Sequence, residues 1–409
     1  MRFDSEFWEF VDRHAGDDVT RLRLKYYRDP RPWMPAAIAH IEALPKARQK
    51  FGRQAASAGG WPMLLPSVLA VEQATPPAVA AYNASFVPMA ARVVDMTAGL
   101  GSDSFHIASR AAQLLCFDLN ESNARALEIN FAGRQNVTVH CGDSVKWLGE
   151  YSGPCLDVVF IDPARRGAGG ARVYNLHDCQ PDLIEIYQLI KSKARRLVAK
   201  LSPMLDITQT FRDLPDCGEI HVNEDGGEVR QLLAVADFAG SGTISAQDRR
   251  VVVAGDGWSY SFSLAEAAAA EPCEAMPKAG HWLVEPSPAM MKAGAFNLVA
   301  RRYGVGVVAA NSHLFVSAEK PSADMPGRKS RIIEIYPLKS SALKKLGKTI
   351  GPAEIVVRNL PGFTAQSLRA RLGIADGSQR RVVATTLADG SRALILVDKA
   401  AQHDDAGHC

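Results

Sequence analysis

The sequence predicts an α/β protein, a doubly wound parallel sheet preceded by a helical arm and followed by a basic α+β module. Three observations carry this expectation. From Ala91 onward, short apolar runs alternate with helical patterns at the spacing of strand–helix–strand units. The 409 residues exceed what one core organises, so two to three domains are expected. The net charge of +3 also conceals a division: residues 81–275 hold 17 Lys+Arg against 25 Asp+Glu, whereas residues 276–409 hold 19 against 10. An acidic middle beside a basic end suggests a division of labour, with the basic end either meeting a polyanion or forming a solvated surface.

The elements follow in order. In residues 1–80, Phe3, Phe7, Trp8, Phe10 and Val11 recur at helical spacing, and residues 36–44 repeat the pattern before Pro45. Such short amphipathic helices need a neighbour to pack on. The domain expected over residues 81–240 reads as strands at 92–95, 114–118, 137–140, 156–162 and 197–201. Helical patterns at 105–110, at 121–131 behind an Asn120 cap, and at 183–191 separate them. Two further β-rich runs, 217–222 and 229–238, would close the sheet as an edge hairpin. Residues 241–276 read as a connecting segment with a hairpin at 250–253 and 258–262. The module expected over 277–400 has its core at 328–399, with strands at 331–335, 355–357, 381–385 and 393–397 and helices at 341–346 and 365–372.

Composition excludes other classes. With 47% hydrophobic and 22% charged residues the chain is neither wholly disordered nor collagenous. No apolar run reaches the roughly 18–20 residues of a bilayer span, and the first residues lack a signal-peptide layout, so a soluble cytoplasmic protein without membrane contact is expected. The seven Cys are widely separated, with no C-x-x-C pair and no His at zinc spacing, which argues for reduced thiols and no metal. Cys116, Cys141 and Cys155 lie in or beside strands, where Cys behaves as a small hydrophobe.

The chemistry concentrates at strand ends. In an open parallel sheet, ligands bind beyond the carboxyl ends of the strands, at the switch in strand order. Each of the first four strands delivers an acid there: Asp95 opening the loop to Asp103, Asp118, Asp143 in Cys141-Gly142-Asp143-Ser144, and Asp162. A phosphate fits four carboxylates poorly, and the loop departs from the dinucleotide fingerprint because Ser104 stands where the third glycine would be. A cationic nucleoside suits the crevice better, and S-adenosylmethionine, with its sulfonium, ammonium, ribose diol and adenine amine, has the matching groups. Gly99 and Gly101 would let the backbone approach the methionine portion, and Asp95 would hold the ammonium. Asp118 would take the ribose hydroxyls, and Asp143 the adenine amine with the Ser144 amide at a ring nitrogen. Ala98, Asp103, Leu119 and Asp162 complete the candidate cofactor set, with Gln73 and Thr75 covering it from the N-terminal side. The competing reading makes each Asp a helix N-cap.

The 95–103 loop, Asp118, Asp143 and Asp162-Pro163-Ala164-Arg165-Arg166 resemble motifs of the class I S-adenosylmethionine-dependent methyltransferases. The motif order is similar to the bacterial family that joins this Rossmann-like domain to a THUMP-like C-terminal domain. Residues 72–75, Lys200-Leu201-Ser202-Pro203, 228–232, 285–294, 358–361 and 384–387 extend the likeness over most of the chain. The resemblance implies S-adenosylmethionine as methyl donor and, by analogy with THUMP domains, a structured RNA acceptor, ribosomal or transfer RNA.

Ala164 and Arg165 replace the second proline and the aromatic ring of the turn found in exocyclic-amine methyltransferases, which weakens that chemistry. A carbon-5 mechanism lacks a cysteine at the right strand end, since Cys155 precedes the fourth strand. Attack by a ring nitrogen or amine remains, with Asp162 and Arg165 as the catalytic candidates: Asp162 positions the acceptor or receives its proton, and Arg165 stacks on a base or grips a phosphate. Arg166 joins Arg165 at the substrate, or both pair with Asp178 or Glu228 and order the 167–170 glycine loop. In the basic module, Arg328, Arg331, Lys344 and Lys345 are candidate RNA contacts, along with Arg369, Arg371 and Arg380-Arg381, and Lys292 is a candidate for reaching the crevice. Two alternatives stay open: a methyltransferase acting on protein or a small molecule, and a binding protein without turnover.

Overall fold

A computed structural model describes residues 5–52, 63–165, 175–238, 244–245, 247–339, 343–377 and 380–398. The chain divides into two compact units, one of residues 1–225 with 230–244, the other of residues 226–229 with 245–409.

The first unit opens with three helices, α1 (Ser5–His14), α2 (Val19–Lys25) and α3 (Met34–Phe51). Their apolar faces meet in one core of Phe7, Phe10, Leu22, Trp33, Ile41 and Leu44, joined by Met63, Leu64 and Leu65. The sequence pattern ends α3 at Pro45, but the helix runs on to Phe51. A proline inside a helix costs about 3 kcal/mol or more; burial of Ala43, Leu44 and Ala47 on the same face is the compensation. His40 is buried in this core and accepts the Leu65 amide at 3.1 Å, and burial pushes its pKa down to about 4.

Two short helices, α4 (Val68–Gln73) and α5 (Pro77–Ala84), lead into the sheet. Its strands, in chain order, are β1 (Ala91–Asp95), β2 (Ala111–Asp118), β3 (Val137–Cys141) and β4 (Val158–Ile161). A two-residue pair follows, β5 (Ala164–Arg165) with β6 (Cys179–Gln180), then β7 (Arg196–Leu201), β8 (Cys217–Asp225) and β9 (Glu228–Asp237). Within this unit the strand order is β8-β9-β7-β4-β1-β2-β3. In the spatial order from β3 to β7 the strands are parallel, and β9 joins antiparallel to β7, so the expected β8–β9 pair is present, although β8 is not an edge strand. β4 is fully buried, as a strand covered on both faces must be. The crossovers are α6 (Ser102–Ala108), α7 (Glu121–Asn130), α8 (Ser144–Glu150) and α9 (Leu183–Lys193), and α10 (Ile207–Asp213) follows β7. Asn120 caps α7 as expected, accepting the Asn123 amide at 3.1 Å.

In the second unit the hairpin expected at 250–253 and 258–262 is present: β10 (Arg250–Gly255) and β11 (Trp258–Ser263) pair antiparallel, followed by α11 (Leu264–Ala269). A seven-stranded sheet comes next. It is built from β12 (Trp282–Pro286), β13 (Gly306–Val307), β14 (Phe315–Ser317), β15 (Gly327–Pro337), β16 (Glu354–Val357), β17 (Arg380–Thr386) and β18 (Arg392–Asp398), in the order β13-β14-β12-β15-β18-β17-β16. The sequence reading misses β12, β13 and β14, and with them α12 (Pro288–Ala293) and α13 (Phe296–Tyr303). The long strand β15 pairs with β12 through its first half and with β18 through its second, welding both halves into one sheet.

Two helices, α14 (Leu343–Ile350) and α15 (Ala365–Leu372), complete this unit. Arg381 is buried here rather than displayed: its guanidinium bonds Glu285 on β12 at 2.9 Å and pairs with Glu354 on β16 at 3.1 Å. Among the described residues no helix is long and apolar enough to cross a membrane, and no group of His, Cys, Asp and Glu could hold a metal ion. Arg381→Met would leave Glu285 buried without its cation, so a loss of about 3–5 kcal/mol is expected, measurable as a lower denaturant midpoint of the full chain.

Candidate functional site

The sheet register brings the strand-end acids together. Asp95 is aligned with Cys116 on β2 and with Phe160 on β4. Asp118 and Asp162 therefore lie two residues further along the two neighbouring strands and flank Asp95 from either side. This is also where strand order reverses, because the chain proceeds outward from β1 to β3 and then returns to β4 on the opposite side. Asp143 follows β3 at the same carboxyl edge.

The loop after β1 is fixed by its own carboxylates. Asp95, 1% exposed, accepts the Thr97 amide at 3.1 Å and the Ser104 hydroxyl at 2.5 Å. The missing third glycine thus has a use: a serine there can hold Asp95. Gly99 and Gly101 both have positive φ, 55° and 89°, a backbone region glycine enters without strain. The Gly99 amide donates to Asp118 at 2.9 Å, tying the loop to the end of β2. A Cβ on Gly101 would come within 2.7 Å of Leu127, so α7 packs directly against this glycine. Ala98, mostly buried, donates its amide to Phe117 at 2.8 Å.

Asp118 is half-buried and accepts from the Asn120 amide at 2.7 Å as well, with Asn123 at 3.4 Å. Leu119, the next residue, is 65% exposed, a large apolar side chain at the rim beside a carboxylate. Asp143 is exposed and caps α8, its Oδ1 accepting the Val145 and Lys146 amides at 2.8 and 3.1 Å, while Ser144 is buried. The N-cap reading therefore holds for Asp143 within the protein. Gln73 is exposed at the end of α4.

Asp103 and Thr75 are turned inward. Asp103, 7% exposed, accepts from the Thr75 hydroxyl at 2.5 Å and from Asn83 at 2.8 Å, so both of its oxygens are engaged inside the protein. The residue that sequence reasoning overlooked is Lys200 on β7. Its ammonium pairs with Asp162 and donates to the Thr75 hydroxyl at 2.9 Å. Thr97 was overlooked as well; its hydroxyl accepts the Asp162 amide at 2.7 Å. The signal for Lys200 was present, since Lys200-Leu201-Ser202-Pro203 belongs to the family likeness, but only the β7–β4 adjacency sets it beside Asp162.

The electrostatics follow from burial. Burial, with Asp103 and Asp162 nearby, pushes the Asp95 pKa up to about 7 despite its two hydrogen bonds. Burial also raises Asp118, against the bonds it accepts. For Lys200 burial works against the charge, yet Asp162, Asp103 and Asp95 outweigh it and hold the ammonium above its ordinary range. Burial raises the Cys116 thiol, as suits an inert packed side chain. Cys141 and Cys155, by contrast, are exposed and do not serve as packing residues.

Among the substrate candidates, the side chain of Arg165, all of Arg166 and the 167–170 loop lie outside the described residues, as does the pairing imagined for them with Asp178 or Glu228. Lys292 is half-buried on α12 of the second unit. In the same unit Arg331 and Arg328, three apart on β15, fall on opposite faces of the strand, so they do not form one basic face. Lys344 and Lys345 are exposed on α14. Arg381 is removed from the expected basic surface by its buried ion pairs.

Five parallel strands with β1 at their centre, a glycine loop locked to the acid of the neighbouring strand, and an antiparallel β9 beside β7 define a class I methyltransferase fold. Comparisons with known proteins agree. A crystal structure from Porphyromonas gingivalis W83, described as a candidate methyltransferase, is 31% identical, superposes with a TM-score of 0.84, and is matched over 98% of this chain and 100% of its own. A Mycobacterium tuberculosis (strain H37Rv) protein, described as an uncharacterised S-adenosylmethionine-dependent methyltransferase, is 28% identical over 328 residues, 79% of this chain and 84% of its own length. The ribosomal RNA small subunit methyltransferase J of Marinobacter nauticus is 34% identical over 82 residues, 18% of this chain and 30% of its own. Family models match a ferredoxin-like domain at residues 282–326 and a THUMP-like domain at residues 327–399. The chain belongs to the family of S-adenosylmethionine-dependent methyltransferases that carry a C-terminal THUMP-like domain.

Gly101→Ala is expected to cost about 1–3 kcal/mol from backbone strain alone, with further loss from the Leu127 contact. Thermal unfolding of the variant would show it.

Proposed function

We propose that this methyltransferase modifies a base nitrogen in a structured RNA, ribosomal or transfer RNA, with S-adenosylmethionine held across the carboxyl ends of β1, β2 and β3. The observation that carries the cofactor part is the lock between the Gly99 amide and Asp118, which sets a glycine loop and a half-buried carboxylate on one rim. The donor set suits the molecule: acids for a ribose diol and an ammonium, backbone amides beside Gly99 and Gly101, and an exposed apolar Leu119 for one face of an adenine. Asp118 takes the ribose hydroxyls, and Leu119 with Ala98 packs on the base. Asp143 receives the adenine amine while it caps α8, and the Ser144 amide meets a ring nitrogen. Asp95 shapes the loop and supplies negative charge beneath the ammonium, with Gln73 at the N-terminal rim. When bound, the donor supplies an electrophilic methyl group on a sulfonium. Asp103 and Thr75 act from behind this surface.

On the acceptor side, Asp162 orients the nucleophilic nitrogen, and Arg165 and Arg166, three and four residues later in the chain, are the candidates to stack on a base or grip its phosphate. The RNA part rests on the THUMP-like domain, on the partial similarity to a ribosomal RNA methyltransferase, and on basic side chains of the second unit. Arg331, Lys344 and Lys345 are its solvent-facing candidates, with Arg328 and Lys292 less exposed.

Three outcomes are expected. Asp118→Ala should weaken S-adenosylmethionine binding at least about tenfold, the loss of two charge-assisted hydrogen bonds, while leaving the unfolding transition in place; equal affinity in calorimetry defeats the assignment. Binding should tighten from pH 6 to pH 8. A cation above Asp95 favours its ionised form, so the complex sheds a proton that the free protein, with this carboxyl titrating at about 7, still partly holds. Calorimetry in buffers of different ionisation enthalpy would detect the released proton. Finally, methyl-labelled cofactor incubated with total RNA from cells lacking the gene should mark one RNA species, and RNA affinity should fall steeply with salt. Label confined to protein or small molecules would redirect the acceptor assignment.

A further inference from the structure

A crevice that receives a cation gains nothing from an ammonium of its own, yet Lys200 stands among the strand-end acids with its side chain only 13% exposed. Burying an ammonium is costly unless carboxylates and hydrogen-bond acceptors compensate it. Here Asp162, Asp103 and Asp95 supply the opposing charge, and Thr75 and Asp162 accept its N–H groups. Further cations lie on this side, with Glu72 opposing them. Lys50 on α3, bonded to the Val71 and Glu72 carbonyls at 2.9 and 2.6 Å, is pushed down to about 8 by burial and by Lys200 and Arg230.

The partners of Lys200 are fixed in turn. Thr75 donates to Asp103, and Asn83 donates to Asp103 at 2.8 Å. Asn83 and Gln231 exchange amide bonds at 3.2 and 2.6 Å, and Gln231 gives a further bond to Asn223 at 3.0 Å. Thr75, Asn83, Asp103, Gln231 and Asn223 are all buried. They come from the α4–α5 turn, α5, α6, β9 and β8, so the network ties these five segments to one ammonium. Buried networks that are fully satisfied rigidify their members. It reaches the site at the Lys200–Asp162 ion pair, on the β4 side of the crevice and away from Asp118 and Asp143.

We propose that Lys200 is a positioning residue of the methyl-transfer site: it holds the Asp162 side chain as a carboxylate, in one orientation, ready to accept a hydrogen bond from the N–H of the acceptor. This rests on the reading of Asp162 as the acceptor-orienting group. Lys200 touches neither the methyl group nor the acceptor and acts on the transfer through Asp162. Asp162 therefore serves as a hydrogen-bond acceptor while the nitrogen is aligned, and the proton the nitrogen sheds on methylation passes by way of this carboxylate to solvent; the buried network is what keeps its cationic partner from following solvent or the bound donor.

The test uses the full chain as Lys200→Met and Lys200→Arg. With aspartate carboxyls labelled in ¹³C and the Asp162 resonance assigned from Asp162→Asn, the Asp162 titration midpoint should rise by about one to three pH units in Lys200→Met, the effect of removing an adjacent opposite charge. It should stay near the wild-type value in Lys200→Arg. S-adenosylmethionine affinity should change less than threefold in Lys200→Met, whereas the turnover number for labelling of RNA should drop at least tenfold and its acid limb should move to higher pH. An Asp162 carboxyl that titrates alike in wild type and Lys200→Met overturns the proposal, and so does a loss of cofactor affinity that parallels the loss of turnover. If Lys200→Met lacks an unfolding transition, Lys200→Gln, which keeps a polar partner for Thr75 without the charge, carries the same comparison. Should wild type label no RNA, the RNA reading fails, while titration and cofactor affinity still decide the role of Lys200.

Discussion

Carboxylates gathered at one edge of a sheet repel one another, and the whole site depends on the donors that keep them apart and compensated. Asp95 is held by Ser104 and Thr97, Asp118 by Gly99 and Asn120, Asp143 by the first amides of α8, and Asp162 by Lys200. Each acid is thus given a different environment: buried and readily protonated, half-buried and loop-bound, exposed and helix-capping, or ion-paired. A set of identical side chains becomes a set of distinct chemical groups because the donors differ.

On the proposed function, that differentiation lets one rim serve two ligands. The β1–β3 side carries acids supported mainly by backbone and neutral donors, so it keeps its negative potential for a cationic nucleoside. On the β4–β7 side the potential is partly cancelled by Lys200, and what remains is orientation rather than attraction. An acceptor whose nucleophile must keep a lone pair free is better served by such an oriented, neutralised pair than by a bare charge.

In the second unit the same economy of charge works for stability. β15, at the start of the THUMP-like match, pairs with β12 at the start of the ferredoxin-like match, and the Glu285–Arg381–Glu354 cluster joins β12, β17 and β16 across that shared sheet. Sequence alone counts Arg381 as one more basic surface residue. Only the arrangement of non-adjacent strands shows that two carboxylates claim it.

Much of the first sheet was legible because its strands are continuous apolar runs punctuated by acids, a pattern local in sequence and tied to burial on both faces. The Asn120 cap and the β8–β9 hairpin were legible for the same reason. The passage of α3 through Pro45 was not, since tertiary burial overrode a local rule, and β13 and β14 were not, because these strands are only two and three residues long; β12 was missed as well. At the site, sequence determined which acids end which strands and where the backbone needs glycine, both consequences of residue type and spacing. What each acid became was left to tertiary structure, because burial, the Lys200 partnership and the inward turn of Asp103 arise between residues as far apart as Thr75 and Lys200, and no local pattern encodes a desolvation energy.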